Sequence, residues 1–322
     1  MKNNLYLIIQ PLQYLQALEL VDRNEFNTLF VLKTGAIDQM KRLVNESDWD
    51  RVVWVNFSGT VLDIIKNIVF VKSILEEFRG IEKLVVSSFY NEFVNCLANG
   101  LQSKELILLE DGNATLLLEH GVKYNSFRFK IKKVFTFIFG FNVQPMSKVN
   151  LYLLKRKNVI DLPSFAKNAY YFDFKRLKKR LTAFQRSDKV CFISSAFINA
   201  GIMKKSNYIN FLKEVINVYP SKTFEIVLHR FDNAEDFSSL LELDNVFITE
   251  STGPIELMFN KNKSLPSKVI SAGSGATETL ETIYGIKVEV VLPHLKWVEE
   301  EFHQQMNIMV SHFNKHHIVS RL

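Results

Sequence analysis

Short apolar runs rich in Val, Leu and Ile alternate along the chain with longer stretches whose apolar positions recur at helical spacing. Runs at residues 5–9, 28–33 and 51–55 read as strands, and residues 12–22 and 37–45 between them as helices. The pattern continues with a helix over 61–78, a strand at 84–87, a helix over 91–98 and a strand ending at 109. A second series begins at 190–194 and alternates strands at 224–228, 246–249, 268–271 and 287–291 with helices at 208–219, 254–260 and 277–284. Strands that each feed an amphipathic stretch form right-handed βαβ units on a mostly parallel sheet. Residues 296–322 read as a terminal helical segment. No internal repeat is visible.

A length of 322 residues fits two domains at roughly 150 each. The expected division is a first Rossmann-like domain over 1–155, a basic linker over 156–188 and a second Rossmann-like domain over 189–322. Composition is that of a folded chain, 47% hydrophobic and 23% charged with 12 Gly and 7 Pro, which excludes disordered and collagen-like classes. Two cysteines, Cys96 and Cys191, make neither a disulfide framework nor a four-thiolate zinc site. The early apolar run is broken by Gln10 and Pro11 and is too short for the core of a secretion signal, so a cytoplasmic location is expected. The longest apolar run, 134–141, is too short to span a bilayer. If a membrane matters, the protein lies on it.

Charge changes the picture locally. The net charge is +6, yet between Lys123 and Arg180 there are 15 Lys and Arg against only Asp161 and Asp173. The same stretch carries Phe127, Phe129, Phe135, Phe137, Phe139 and Phe141. Anionic lipid head groups could sit on such a basic aromatic surface. A half-buried strand at 135–141 followed by a solvated helix face at 175–180 accounts for it equally. Nucleic acid is not expected as a partner, since no recognised binding signature accompanies the charge.

Ligands of open parallel sheets sit beyond the carboxyl ends of the strands, so the residues just after each strand carry the candidate chemistry. Glu110-Asp111-Gly112 is the first such place, where glycine permits a tight turn that projects carboxylates; an exposed turn acid is the bland alternative. His229-Arg230 follows the strand at 224–228, with an imidazole able to serve a leaving phosphate and a guanidinium able to pair with an anion; a lone histidine there is more often structural. Ser271 to Thr277 joins a strand to a helix through small and hydroxyl residues, including Ser274, and could wrap a phosphate at the helix tip. Capping and close packing explain the same residues, and neither a Walker loop nor a complete dinucleotide fingerprint is present. Glu256, in Gly253-Pro254-Ile255-Glu256-Leu257, could bind the hydroxyls of a ribose or simply complement the helix dipole.

Three other features are discounted. Asp48-Trp49-Asp50 matches the two-aspartate pattern of metal-dependent transferases but precedes a strand, on the wrong end for a cleft. His316 and His317 lack companion ligands and read as surface residues. Asn113-Ala114-Thr115 fits a glycosylation sequon that has no export signal to make it meaningful.

The order Asp-Gly, His, Pro-x-Glu-Leu and a Ser-rich strand-to-helix turn resembles the bacterial sialyltransferases of glycosyltransferase family 52 and the related polysialyltransferases. The opening Pro11-Leu12-Gln13-Tyr14-Leu15-Gln16-Ala17-Leu18-Glu19 is also similar to their start. The resemblance implies an α/β fold of GT-B type, two Rossmann-like doubly wound domains facing a central cleft. It implies an inverting transfer of sialic acid from CMP-sialic acid to a galactoside or lipid-linked glycan acceptor, without metal or other cofactor. Asp111 becomes the general base, followed by Gly112; His229 serves the CMP phosphate, with Arg230 beside it; Ser271 and Ser274 hold that phosphate and Glu256 the ribose. The family usually has His-Pro where this chain has His229-Arg230. CMP leaves as a monophosphate, so hydrogen bonds, a helix tip and a histidine can suffice to stabilise it. A GT-B transferase with another nucleotide sugar, or a non-catalytic nucleotide-, glycan- or membrane-binding module, are the alternatives. The linkage formed and the oligomeric state, a homodimer among the options, stay open.

Overall fold

The computed structural model describes residues 2–33, 36–56, 61–89, 91–112, 115, 140–154, 162–182, 184–315, 317 and 319–321. The chain divides into two compact units. The first comprises Met1–Asp111 and Leu118–Arg176, the second Gly112–Leu117 and Leu177–Leu322.

In the first unit, β1 (Asn3–Ile8), α1 (Pro11–Leu20), β2 (Phe26–Lys33), α2 (Ile37–Leu43), β3 (Arg51–Asn56) and α3 (Val61–Glu77) follow in order. They are succeeded by β4 (Lys83–Val86), α4 (Glu92–Gly100), β5 (Glu105–Leu109), β6 (Val149–Leu154) and β7 (Ala166–Phe172); the short α5 (Lys175–Lys179) runs across the division at Arg176. The strands form one sheet in the order β3-β2-β1-β4-β5-β6-β7, parallel throughout. Both faces are covered, which is why these strands read as almost unbroken apolar runs. Alternate residues go to opposite sides. Leu5, Leu7, Leu84 and Val86 meet Ile74 of α3 and Phe93 and Leu97 of α4. On the other side Tyr6 packs edge-on against Trp49, which also meets Tyr14 of α1.

The second unit contains β8 (Gln185–Ile193), α6 (Lys205–Asn217), β9 (Thr223–Val227), β10 (Val246–Thr249), α7 (Ile255–Asn262) and β11 (Ser264–Ser271). After these come α8 (Ala276–Tyr284), β12 (Val288–Leu292), α9 (His303–Asn314) and β13 (Val319–Arg321). The sheet order is β10-β9-β8-β11-β12-β13, again parallel. Val190, Phe192, Ile226 and Ile270 face Phe211 of α6 and Phe313 of α9. Cys191, Ile193, Val227 and Val269 face Phe259 of α7 and Leu280 of α8. Each sheet therefore has helices on both sides, as doubly wound domains require.

Three expectations need correction. The segment 156–188 is not a linker throughout, because β7 belongs to the first sheet and β8 starts the second at Gln185. As an edge strand β7 exposes Tyr170 and Tyr171, and this solvated pattern concealed it among the basic residues. The C-terminal segment is not wholly helical; it ends in β13, which pairs with β12 through three residues. His317 is not a surface residue: its side chain is 3% exposed and its Nδ1 lies 3.4 Å from Glu281 Oε1. His316, Asn113 and, of the phenylalanines named for the basic stretch, Phe127, Phe129, Phe135, Phe137 and Phe139 lie outside the described residues; Phe141 is buried. Among the described residues no helix is long and apolar enough to cross a membrane.

Asp48, Trp49 and Asp50 sit at the amino end of β3, as expected. Trp49 is buried, Asp50 accepts from the Asn27 amide at 2.8 Å and Asp48 pairs with Arg23. These residues are structural.

Candidate functional site

In both sheets the order of the strands reverses at one point. In the first, chain order runs outward from β1 on one side and from β4 on the other; in the second, β8 and β11 are the corresponding neighbours. A crevice outside the carboxyl ends of the strands at such a switch is where open parallel sheets hold ligands. The candidate residues can be placed relative to these two points, each within its own unit.

Asp111 stands at the end of β5, next to the β1/β4 switch, and is half-buried. Gly112 takes a φ of +53°, a conformation that penalises any side chain. The turn therefore depends on glycine, as its position in the sequence suggested. What sequence reading missed is the clamp beneath it. Gln13 of α1, 1% exposed, donates from Nε2 to Asp111 Oδ1 at 2.8 Å and to the Ser87 carbonyl at 2.8 Å. Its Oε1 accepts from the Gln10 and Ile9 amides, which fixes the orientation of the side-chain amide. One turn on, Gln16 exchanges two bonds with the Glu110 backbone, accepting from its N–H at 3.0 Å and donating to its carbonyl at 2.9 Å.

The two acids at this turn are thereby separated in role. Glu110 is buried and its Oε2 accepts from the Leu154 amide at 2.6 Å, tying β5 to β6. Asp111 keeps a partly exposed carboxylate, held from one side by Gln13.

In the second unit the switch lies between Ser194-Ser195, after β8, and the Ser271–Thr277 turn after β11. The Ser195 hydroxyl donates to the Ala272 carbonyl at 3.3 Å and so bridges the two strand ends. Gly273 has φ +73°, and a Cβ there would come 2.6 Å from Leu292 Cδ2 and 2.9 Å from Met309 Cε. Leu292 is fully buried and has little room to yield. Gly273→Ala is expected to destabilise the second unit by about 2–4 kcal/mol, combining left-handed strain with overpacking. Urea unfolding followed by circular dichroism measures this.

Ser271 departs from its expected part. It is fully buried, and its Oγ accepts from the Ser274 amide at 2.8 Å and the Thr277 hydroxyl at 2.9 Å. The hydroxyl closes the turn from behind and is not presented to a ligand. Ser274 remains partly exposed at the tip of α8, its Oγ accepting from the Ala276 amide at 3.2 Å.

Glu256, in the first turn of α7 as expected, is 4% exposed and accepts from the Thr279 hydroxyl at 2.9 Å. Burial pushes its carboxyl above the usual range, while the Thr279 bond and the Arg230 charge oppose that shift. In this arrangement the carboxyl is covered, so the expected ribose contact is not open.

His229 follows β9, beside β8 in the sheet. Burial, and secondarily the positive Arg230, push its imidazole down to about 4. At neutral pH the ring is uncharged. Its Nδ1 accepts from the Phe231 amide at 3.3 Å, which leaves the single ring proton on Nε2. The ring is thus a neutral N–H donor. Arg230 places its guanidinium over the Phe231 ring, 4.8 Å from the centroid.

Asp232, which sequence reading overlooked, holds this loop. Its Oδ2 accepts from the His229 amide at 3.0 Å and from the Ser194 hydroxyl at 2.7 Å. No spacing rule links residues 194 and 232; the strand order of β8 and β9 does.

No protein-family model and no curated protein sequence matches this chain. Solved structures do. A UDP-glucosyltransferase from Polygonum tinctorium aligns over 100% of this chain and 85% of its own, with TM-score 0.54 and 10% identity. MnaA of S. aureus, solved with UDP, aligns over 98% of this chain and 88% of its own, with TM-score 0.53 and 13% identity. UDP-GlcNAc 2-epimerase from Neisseria meningitidis, bound to UDP-GlcNAc, covers 97% and 91%, with TM-score 0.52 and 10% identity. Identities this low speak to architecture alone. The chain has the α/β fold of GT-B type, built from two parallel-sheet Rossmann-like domains.

Proposed function

We propose that this protein is an inverting sialyltransferase that moves sialic acid from CMP-sialic acid to a galactose-containing bacterial surface glycan such as lipopolysaccharide, O-antigen or capsule. The observation that carries the reading is the placement of His229 just after β9 with its Nδ1 taken by the Phe231 amide. A neutral imidazole with its proton fixed on Nε2 is an N–H donor suited to a phosphate leaving group. At the carboxyl end of the same sheet the second unit also carries the Ser274-bearing tip of α8, which follows β11, and the Arg230 guanidinium. The fold is shared with proteins solved with UDP and UDP-GlcNAc, which supports a nucleotide-sugar donor. The motif order described above favours CMP-sialic acid among such donors.

In the proposed reaction the Asp111 carboxylate takes the proton of the acceptor hydroxyl as that oxygen bonds to the anomeric carbon. The bond from that carbon to the CMP phosphate breaks, and its electron pair leaves with CMP. The His229 Nε2–H and the α8 tip stabilise the charge that develops there. One displacement inverts the anomeric centre. The basic stretch would keep the enzyme against the cytoplasmic face of the membrane, near a lipid-linked acceptor.

Incubation with a panel of nucleotide sugars and a galactoside tests the donor. CMP release from CMP-sialic acid is expected, dependent on the galactoside, at a rate well above release from any UDP-sugar. Turnover of a UDP-sugar alone would transfer the reading to another GT-B reaction, and nucleotide binding without turnover would make the chain a binding module.

A further inference from the structure

We propose that Asp232 is the positioning residue of the candidate donor site, holding the 229–232 turn so that the His229 ring presents one defined N–H. This rests on the transferase reading above and deepens it. The turn is closed by the Asp232 amide donating to the His229 carbonyl at 2.8 Å, the i to i+3 bond of a β-turn with Arg230 at its second position. The Asp232 carboxylate then reaches back to the amide of the same histidine. One residue therefore grips both the N–H and the C=O of His229.

The grip is anchored in the core. Ser194 has a single hydroxyl proton, which its 2.7 Å bond assigns to the Asp232 carboxylate. The 2.9 Å contact between Ser194 Oγ and Tyr208 OH must therefore be donated by the tyrosine. Tyr208 is fully buried against Phe197, Phe211 and Phe237. Its hydroxyl also accepts from the Ser195 amide at 3.3 Å. A directed chain thus runs from Tyr208 through Ser194 to Asp232 and the His229 backbone.

The consequence falls on the ring. The Phe231 amide can reach His229 Nδ1 only while the turn is closed, and that contact confines the proton to Nε2. Asn199 donates to the Phe231 carbonyl and secures the far side of the turn. Asn199 also bonds the Asp232 side chain. Removing Asp232 frees the histidine end and takes that partner from Asn199, whose bond to the Phe231 carbonyl still holds the other end, so the imidazole is released.

The test reads the ring directly. Nitrogen-15 NMR of the imidazole in the full chain, without ligand, is expected to show Nε2 protonated and Nδ1 bare in the wild type. Asp232→Ala is expected to give a mixture of tautomers. Asp232→Asn, which keeps an oxygen for the His229 amide and Ser194, is expected to retain the wild-type spectrum. With CMP-sialic acid, Asp232→Ala should lower kcat by about ten- to a hundredfold with KM within about threefold, the size expected from a small misplacement of a catalytic group. Asn should restore most of that loss. If Asp232→Ala does not fold, Ser194→Ala loosens the same carboxylate and should shift the spectrum in the same direction. An unchanged ring spectrum in Asp232→Ala, or in Ser194→Ala used in its place, overturns the proposal whatever the turnover. A tautomer change in a protein that never turns over CMP-sialic acid supports the positioning role and removes only the transferase reading.

Discussion

Asp111→Asn is expected to lower turnover about a thousandfold while leaving the fold and donor KM close to wild type. Loss of a general base costs 10²–10⁴ in rate, and about a thousandfold corresponds to roughly 4 kcal/mol of transition-state free energy. The substitution is clean at this position because the asparagine oxygen can still accept the Gln13 Nε2 bond that aims the carboxylate. The clamp from Gln13 and Gln16 should therefore survive, and Gly112 keeps its left-handed turn. Only the ability to take a proton is removed. Donor binding, assigned to the second unit, should change little. Steady-state release of CMP, with thermal unfolding measured alongside, separates the outcomes. A variant that turns over at more than about a tenth of the wild-type rate would remove Asp111 from the base role.

What could be read from the sequence followed from how far apart the interacting residues are. Most buried parallel strands announce themselves locally, as apolar runs followed by helical periodicity, so β1, β2, β3, β4, β5 and most of the second sheet were legible, although the buried β6 was passed over beside the basic stretch. β7 was not, because an edge strand with Lys167, Tyr170 and Tyr171 exposed carries no apolar run. β13 has too few residues to show a period at all. At the site, Gly112 could be assigned its turn because the demand for a left-handed backbone is local. The partners that set the acid were hidden by separation: Gln13 and Asp111 are 98 residues apart, Gln16 and Glu110 are 94. Glutamines on a helix ordinarily face solvent, and only the strand order of the sheet shows that these two do not.

The Ser-rich turn teaches the opposite lesson. Its composition marks the helix tip correctly, yet composition does not say which hydroxyl faces outward. Ser271 ends a strand whose side chains alternate between two buried faces, so its hydroxyl is turned inward and used to close the turn. Ser274, three residues on, has left the strand and reaches the partly exposed tip. The same reasoning covers Glu256, where a first-turn carboxylate favourable to the helix dipole is also favourably placed to accept from Thr279 of the neighbouring helix.

His229→Ala is the second large loss expected, about a hundred- to a thousandfold in kcat, the size of removing one preorganised donor from a developing anion. His229→Gln should recover about tenfold of it, since the glutamine side-chain amide can supply an N–H near the Nε2 position. Acid dependence distinguishes a neutral donor from an imidazolium. Burial first, and the adjacent Arg230 second, hold the ring at about 4 against an ordinary 6.5. The kcat/KM profile of the free enzyme should accordingly show no inflection near 6.5 that disappears in His229→Gln. Stability carries the same signature with a definite sign. Between about 4 and 6.5 the unfolded chain binds a proton at this residue that the folded chain refuses. The contribution is therefore present above 6.5 and is lost as pH falls through about 4. The wild type should lose thermal stability over that interval more steeply than His229→Ala. Parallel acid slopes for the two proteins, together with a wild-type activity limb at 6.5, would mean that the ring is protonated in use and that its chemistry is that of an acid.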